Sequence, residues 1–228
     1  RYIAVTGVQT CALPIWAWVF LCMNKRVNFY VDGFNLYYSL LECEKWDKKH
    51  RSYKWFDILA FLSSFLRKDG SEKLAEIHYF SAYFPWDSSA QPFTNDPSKE
   101  ARHKVYRKAL ESQGIHTTFG YFRKKSLFGP HSKMHFDYPE EKQTDVNIAV
   151  SIVRDAALNH FDTGILVSGD TDFLPVFDAV RSIDSRKKIG VLFPFRRTNS
   201  QMHQAADFQI KTRLPHYENC ILPDPIEL

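Results

Sequence analysis

Apolar residues along the chain follow two spacings, one typical of strands and one typical of helices. Short apolar runs predict strands at residues 26–32, 76–84, 115–122, 163–168 and 188–193, with an edge strand at 208–210. Apolar residues three and four positions apart predict helices that begin at Phe34, near Trp55, at Ser98, after Thr144, at Asp172 and at Ser200. This order predicts an α/β fold with a mostly parallel central sheet.

Two segments have less regular patterns. Residues 86–97 are rich in Ser, Pro, Asn and Asp and are predicted to form a loop. Residues 123–138 are basic and irregular, which is typical of a hairpin or a mobile loop. Between residues 23 and 228 we find no internal repeat and no domain boundary, so this part is interpreted as a single domain. The side chain of Thr144 is predicted to cap the helix that follows it.

The first 22 residues are set apart from this pattern. Residues 5–15 resemble the translation of a common DNA sequencing adapter, and the apolar residues 16–22 follow directly. The segment imitates a signal peptide, but Arg1 is its only charge and it has no clear cleavage site. We therefore expect residues 1–22 to be non-native and the natural start to be Met23. No transmembrane helix is predicted in the remainder, and the expected compartment is the cytoplasm.

Amino-acid composition and charge narrow the class of protein to which the chain belongs. With 228 residues, 44% hydrophobic and 25% charged, the sequence is typical of a soluble globular protein. A net charge of +4 permits a polyanionic partner without requiring one. The four cysteines show no CxxC spacing, which argues against a disulfide framework or a zinc ribbon. His131 and His135 are interpreted as solvated loop residues.

Three separated stretches place aspartates where a strand or a helix meets a loop. Asp32 and Asp170 follow the apolar runs of two predicted strands, and Asp172 lies two residues further on. Asp145 lies in the first turn of a predicted helix. Ligands of an open parallel sheet bind beyond the carboxyl ends of its strands, so these carboxylates are expected to converge. Because like charges repel, their convergence predicts a divalent-metal site.

Each aspartate also has a simpler explanation. Asp32 can cap the helix that follows it, and a helix dipole favours a negative charge at Asp145. Asp170 and Asp172 are harder to explain in this way, because only one of the two can serve as an N-cap. Their repulsion costs stability unless a cation relieves it. Taken together, the three stretches favour the metal-site interpretation.

The residues around these aspartates resemble the motifs of a known family. The sequences YVDGFNLY from residue 30, KQTDVNIA from residue 142 and LVSGDTDFLP from residue 166 are similar to those of the NYN domain family, in the LabA-like branch of the PIN-like nucleases. The resemblance spans residues 26–210. It implies a PIN-like three-layer α/β/α sandwich and metal-dependent ribonuclease chemistry. The acidic positions of the family's motifs are matched by Asp32, Asp145, Asp170 and Asp172, which implies metal-binding and catalytic roles for them.

One position departs from the family's pattern. Many LabA-like sequences carry another acidic residue six positions after the equivalent of Asp145, and here Ser151 stands in that place. Asp155, one helical turn further on, is interpreted either as a substitute that acts through water or as a surface charge. The departure bears on catalytic activity more than on the fold.

The expected reaction is hydrolysis of an RNA phosphodiester with one or two Mg²⁺ or Mn²⁺ ions, which prefer carboxylate and phosphate oxygens. Asn35 is a candidate for binding phosphate or orienting Asp32, and Ser168 for donating to an aspartate or a phosphate. Capping and a tight turn explain these two residues equally well. Lys142 and Arg196, with Arg197 and residues 123–125, form a candidate track for RNA phosphates, although each is individually typical of a solvated surface.

Alternative functions differ from this one in the residues or the substrate that they require. A haloacid-dehalogenase-type phosphatase needs a second aspartate two residues after the first, where this chain has Phe34. A flap-type DNA nuclease and a non-catalytic RNA-binding or regulatory module both stay open. The expected partner is RNA, with single strands favoured, and a homodimer is an open alternative to a monomer. No membrane association is expected.

Overall fold

The fold is built on one mostly parallel sheet. The structure is a computed structural model that describes residues 24–83, 97–129 and 133–224. Its strands lie in the order β4-β3-β2-β1-β5-β6-β7, and neighbours run parallel except for β3 and β4. The strands are β1 (Lys25–Asp32), β2 (Glu72–Tyr83), β3 (His116–Gly129), β4 (Met134–Lys142), β5 (Thr163–Val167), β6 (Lys188–Phe193) and β7 (Phe208–Lys211).

Helices connect the parallel strands, because two parallel neighbours cannot be joined by a tight turn and need a longer crossover connection. They are α1 (Gly33–Trp46), α2 (Ile58–Ser63), α3 (Pro97–Ser112), α4 (Thr144–Ala157), α5 (Leu174–Ile183) and α6 (Ser200–Ala205). Two short 3₁₀ turns occur at Thr171–Phe173 and Leu214–His216.

The central strands of the sheet are buried on both faces. Val27, Phe29 and Val31 of β1 pack into one core with side chains of α1 and α2. Tyr30, on the opposite face, packs into a second core with side chains of α4 and α5. A strand that is covered on both sides needs apolar residues at successive positions, which explains the uninterrupted apolar run in β1. The arrangement is the expected α/β/α sandwich.

The strand order of the sheet reverses at β1: strands β2 to β4 lie on one side of it, and β5 to β7 lie on the other. The chain moves from β1 to β2 on one side, whereas β5 lies on the other side of β1. Val31 pairs with Val167, so Asp32 and Ser168 follow at neighbouring strand ends. A crevice opens at such a reversal beyond the carboxyl ends of the strands, and ligands of open α/β sheets bind there.

Several element predictions need correction. The helix predicted near Trp55 is the shorter α2, because Asp57 caps it by accepting a hydrogen bond from the Ala60 N–H at 2.9 Å. Thr144 is the first residue of α4 and not its cap; its hydroxyl donates to the Ser81 carbonyl at 3.4 Å. A 3₁₀ turn precedes α5, which therefore begins at Leu174 and not at Asp172.

The basic segment predicted as a hairpin or a mobile loop is a hairpin. The second half of β3 pairs antiparallel with β4, which brings Lys142 opposite Tyr121. The predicted strand at 115–122 is correspondingly longer, because β3 continues to Gly129.

Some predictions fall on parts of the chain that the structure does not describe. These are the segment at residues 1–22, His131, and the loop at 86–97 apart from Pro97, which begins α3. Within the described ranges, no helix has the length and apolar character needed to cross a membrane.

Candidate functional site

Asp32 is both the last residue of β1 and the N-cap of α1. Its Oδ1 accepts a hydrogen bond from the Asn35 N–H at 3.0 Å, and its Oδ2 accepts one from the Ser168 hydroxyl at 2.9 Å. The residue is only 5% exposed. Two donors on different oxygens fix the orientation of the carboxylate and leave further lone pairs for a ligand.

Gly33 allows α1 to begin directly against β2. A Cβ atom at this position would overlap the carbonyl oxygen of Phe80, which belongs to the β2 backbone and cannot rotate away. Any larger residue would force α1 away from the sheet and move Asp32 with it. The glycine of the DGFN motif is therefore required by packing.

The loop after β5 is tied to the start of α1. The Gly169 N–H donates to the Asn35 side-chain carbonyl at 3.2 Å, and the Asp170 N–H donates to the Ser168 hydroxyl at 3.1 Å. Asp170 in turn accepts from the Asp172 N–H at 3.0 Å. Asn35 therefore positions two groups. Its side-chain carbonyl holds the loop after β5, and its backbone N–H holds the carboxylate of Asp32. These bonds bring Asp32, Asn35, Ser168 and Asp170 into one network.

Four carboxylates, which we call the acidic rim, lie at the end of β1, in the loop after β5 and at the start of α4. Burial raises the pKa of Asp32 to about 6, with repulsion from Asp145 and Asp170 adding to it and the hydrogen bonds from Asn35 and Ser168 opposing it. Burial also raises the pKa of Asp145, assisted by repulsion from Asp170 and Asp172. The rim consists of Asp32, Asp145, Asp170 and Asp172.

Sequence reasoning missed a fifth acidic residue beside the rim. Burial raises the pKa of Glu141 to about 7, a hydrogen bond with Thr144 opposes the rise, and repulsion from Asp145 and Asp32 adds to it. Glu141 Oε1 is buried and has no hydrogen-bond partner among the described residues. Its position depends on the antiparallel β3–β4 pairing, which the irregular sequence pattern of this segment did not reveal.

The two predicted substrate-binding cations contact other side chains in this structure. Lys142 forms an ion pair with Glu140 at 2.7 Å. Arg196 lies along α1, with its guanidinium 4.6 Å from the centre of the Trp46 ring and 3.8 Å from Glu42. Arg197 is nearer the rim, because its carbonyl packs against Gly169. To bind a substrate, Lys142 and Arg196 would have to break these contacts and form new ones with the RNA phosphates.

Asp155 is neither a surface charge nor a substitute ligand at the rim, contrary to both interpretations. It is fully buried and accepts a hydrogen bond from the Tyr30 hydroxyl at 2.9 Å. It lies ten residues after Asp145 on α4, which corresponds to about 15 Å along the helix. Ser151, half-buried between them, brings no acidic group to the rim.

Among the described residues, the group most compactly arranged for a metal ion is Glu76, His78 and Asp155, whose donor atoms lie within 4.8 Å of one another. No three carboxylates of the acidic rim meet this spacing in the described structure. An ion at the rim would therefore bind after side-chain rotation, or partly through water, as Mg²⁺ commonly does.

Comparison with known proteins places the chain in a family. The family model described as "NYN domain" matches residues 26–213. The 6-hydroxy-3-succinoylpyridine 3-monooxygenase of Pseudomonas putida is 26% identical over 195 residues, covering 74% of this chain and 59% of that protein. The chain thus spans little more than half the length of this curated relative.

A solved structure supports the fold alone. The crystal structure of a protein of unknown function from Vibrio parahaemolyticus matches with a TM-score of 0.52 at 18% identity, covering 87% of this chain and 97% of that one. The family match contains the whole acidic rim and most of the chain. This chain therefore belongs to the NYN domain family, and with it to the PIN-like nuclease superfamily.

Proposed function

We propose that this protein is a ribonuclease that uses Mg²⁺ or Mn²⁺ at the acidic rim. The observation that carries the proposal is the convergence of Asp32, Asp145 and Asp170, whose mutual repulsion contributes to the raised pKa of Asp32. Such an arrangement destabilises the metal-free protein, and a divalent cation would remove the repulsion. Hard cations prefer carboxylate, water and phosphate oxygens, which are the groups that this crevice and an RNA strand provide.

The bound ion would polarise the scissile phosphate, lower the pKa of a water molecule and stabilise the charge on the leaving oxygen. The chain's own residues would prepare this chemistry. Asp32 is held in one orientation by Asn35 and Ser168, so its free lone pairs point in a fixed direction. Glu141, with a pKa of about 7, has the proton affinity that a general base needs near neutral pH. We assign it the role of accepting the proton of the attacking water.

Aromatic residues near the rim favour single-stranded RNA as the substrate. Tyr37 and Tyr38 follow Asn35 on α1 and are 53% and 50% exposed. The guanidinium of Arg197 lies 5.3 Å from the centre of the Tyr38 ring. Proteins that bind single strands stack unpaired bases on such rings and place cations near the phosphates. We further propose that the protein belongs to the LabA-like branch and acts in the cytoplasm, either as a monomer or as a homodimer.

Asp170→Asn is the direct test of the proposal. The amide oxygen of asparagine can still accept from the Asp172 N–H, so the turn should fold as before. Mn²⁺ affinity measured by calorimetry should fall at least tenfold, because a neutral amide is a weaker ligand for a hard cation. Cleavage of single-stranded RNA should fall by about 10² or more. Asp178→Asn, which changes an exposed aspartate on α5, is the matched control and should leave both unchanged.

The outcomes separate the alternatives. Unchanged Mn²⁺ affinity in Asp170→Asn would show that Asp170 serves only as a cap. RNA binding without any metal-dependent cleavage would identify a non-catalytic RNA-binding module. Cleavage of DNA flaps in preference to RNA would identify a flap-type nuclease.

A further inference from the structure

A second polar cluster lies on the same face of the sheet as the acidic rim but at the far end of α4. His78 Nε2 lies 3.0 Å from Glu76 Oε2 and 3.6 Å from Asp155 Oδ2. Glu76 and His78 are on β2, and Asp155 is near the end of α4. The cluster is therefore formed by two elements that are far apart in sequence, and it shares no residue with the rim.

The ligand atoms of this cluster are held in place by neighbours. The ring of His78 lies between the rings of Tyr30 and His116, with centroid distances of 5.1 and 5.2 Å. Asp155 accepts from the Tyr30 hydroxyl on Oδ2 and from Arg154 on Oδ1. Hydrogen bonds of this kind to a ligating carboxylate orient it and are typical of the surroundings of metal sites.

A buried and unpartnered oxygen lies beside the cluster. Asn28 is fully buried, and its side-chain carbonyl Oδ1 accepts no hydrogen bond from any described residue. Asn28 pairs with Glu76 across β1 and β2, and its Nδ2 lies 3.5 Å from the Tyr30 hydroxyl. Leaving a buried carbonyl unpaired is unfavourable, because the group gives up its hydrogen bonds to water and gains none in the protein. A water molecule held by an ion in the cluster would supply the missing donor.

A simple charge network is the competing explanation. In such a network a protonated His78 would neutralise the two carboxylates. His78 faces both carboxylates with the same nitrogen, Nε2, and a proton on that nitrogen can be donated to only one of them. Arg154 already pairs with Asp155 Oδ1 at 3.0 Å, so Asp155 does not depend on His78 for a counter-charge. A metal ion, in contrast, would contact all three donor atoms at once.

We propose that Glu76, His78 and Asp155 bind one divalent transition-metal ion of the Zn²⁺ class. Bonds of about 2.0–2.2 Å to nitrogen and oxygen would place tetrahedral ligand atoms roughly 3.4 Å apart, close to the two distances from His78. A nitrogen donor favours Zn²⁺ over Mg²⁺, which prefers oxygen alone. Three protein ligands leave a fourth position for a water molecule, which would be the donor that Asn28 lacks. The ion would fasten the end of α4 to β2, and the site is independent of the proposed ribonuclease activity.

Calorimetric titration of the full chain with Zn²⁺, in excess Mg²⁺ to occupy the rim, tests this inference. The wild-type protein should bind one Zn²⁺. Glu76→Gln should weaken binding at least tenfold, and His78→Gln should weaken it further. His135→Gln, which changes an exposed histidine on β4, and Asp170→Asn, which changes the rim, are the controls and should leave this binding unchanged.

Glu76→Gln should keep the fold of the wild type, because the Glu76 side chain is 40% exposed and the amide can still contact His78. Thermal melts without metal should show that this variant folds as the wild type does. Co²⁺ offers a second measurement, since tetrahedral Co²⁺ absorbs strongly in the visible and loss of the His78 ligand in His78→Gln should remove that band. Equal Zn²⁺ affinity in wild type and Glu76→Gln, or binding that only Asp170→Asn weakens, would overturn the proposal.

Discussion

At the scale of single residues, Asp32 shows how a buried carboxylate at the end of a strand reduces stability. The residue caps α1, which favours folding, but its burial raises the pKa of its carboxyl group to about 6 from the ordinary 3.8. The folded protein therefore binds a proton at Asp32 more tightly than the unfolded chain does. The stability that protonation provides is complete below about pH 4 and is lost as the pH rises through about 6.

Asp32→Asn should remove this pH dependence. An asparagine caps a helix as well as an aspartate and is neutral at every pH. Relative to the wild type, the metal-free variant should gain up to about 3 kcal/mol in free energy of unfolding between pH 4 and 7.5, at about 1.4 kcal/mol per pKa unit. Urea unfolding in the presence of a chelator measures the difference. Asp178→Asn should change stability by less than about 0.5 kcal/mol at both pH values, and an equal difference for Asp32→Asn at pH 4 and 7.5 would contradict the prediction.

At the scale of elements, the site depends on how closely α1 approaches β2. The contact leaves no room for a side chain at Gly33, where the Phe80 carbonyl and the Tyr79 ring lie next to the α-carbon. The end of β1 and the start of α1 are thereby held at one point, and the network through Asn35 fastens the loop after β5 to the same point. The geometry of the rim is therefore a property of packed elements.

Gly33→Ala should disturb this packing. The added methyl group would destabilise the protein by about 1–3 kcal/mol, which is the usual cost of overpacking. It should also weaken Mn²⁺ binding, because Asp32 moves with the start of the helix. Lys45→Ala, at the exposed end of the same helix, loses one surface ion pair with Glu42 and should cost no more than about 1 kcal/mol. Thermal melts and Mn²⁺ titrations would test both effects, and a Gly33→Ala protein as stable as Lys45→Ala would show that α1 adjusts freely.

At the scale of the whole molecule, pH and metal binding should be linked. Carboxyl groups must lose their protons before they bind a cation. The pKa values of Asp32 and Glu141, about 6 and about 7, place that loss near neutrality. A bound ion should also stabilise the folded protein, because it binds the native state alone.

The thermal stabilisation produced by a fixed Mn²⁺ concentration should therefore rise from pH 5.5 to pH 8. In Glu141→Gln the part of this rise above pH 6.5 should be smaller, because one of the two titrating groups is absent. Melting curves at several pH values, with and without Mn²⁺, provide the measurement. A stabilisation that does not change with pH would show that the ionisation of neither carboxyl group is coupled to metal binding.

The sequence by itself predicted six of the seven described strands, most of the helices and the four aspartates of the rim. This was feasible because β1, β5 and β6 are short apolar runs with sharp ends, and because Asp32 ends β1 while Asp170 and Asp172 lie within five residues of the end of β5. Periodicity and turn residues are local properties, and local properties can be read from neighbouring positions. The family motifs added the expectation of nuclease chemistry.

Only the tertiary structure decided which distant residues meet. Glu141 approaches the rim because β4 pairs antiparallel with β3, and Asp155 is buried because α4 lays it against Tyr30 and His78. Arg196 lies beside Glu42 and Trp46, away from its predicted place in a phosphate track. These outcomes depend on the pairing of strands and the packing of α4 on the sheet, which bring together positions tens of residues apart. The spacing of residues along the chain does not predict these contacts, because they form only when helices pack on both faces of the folded sheet.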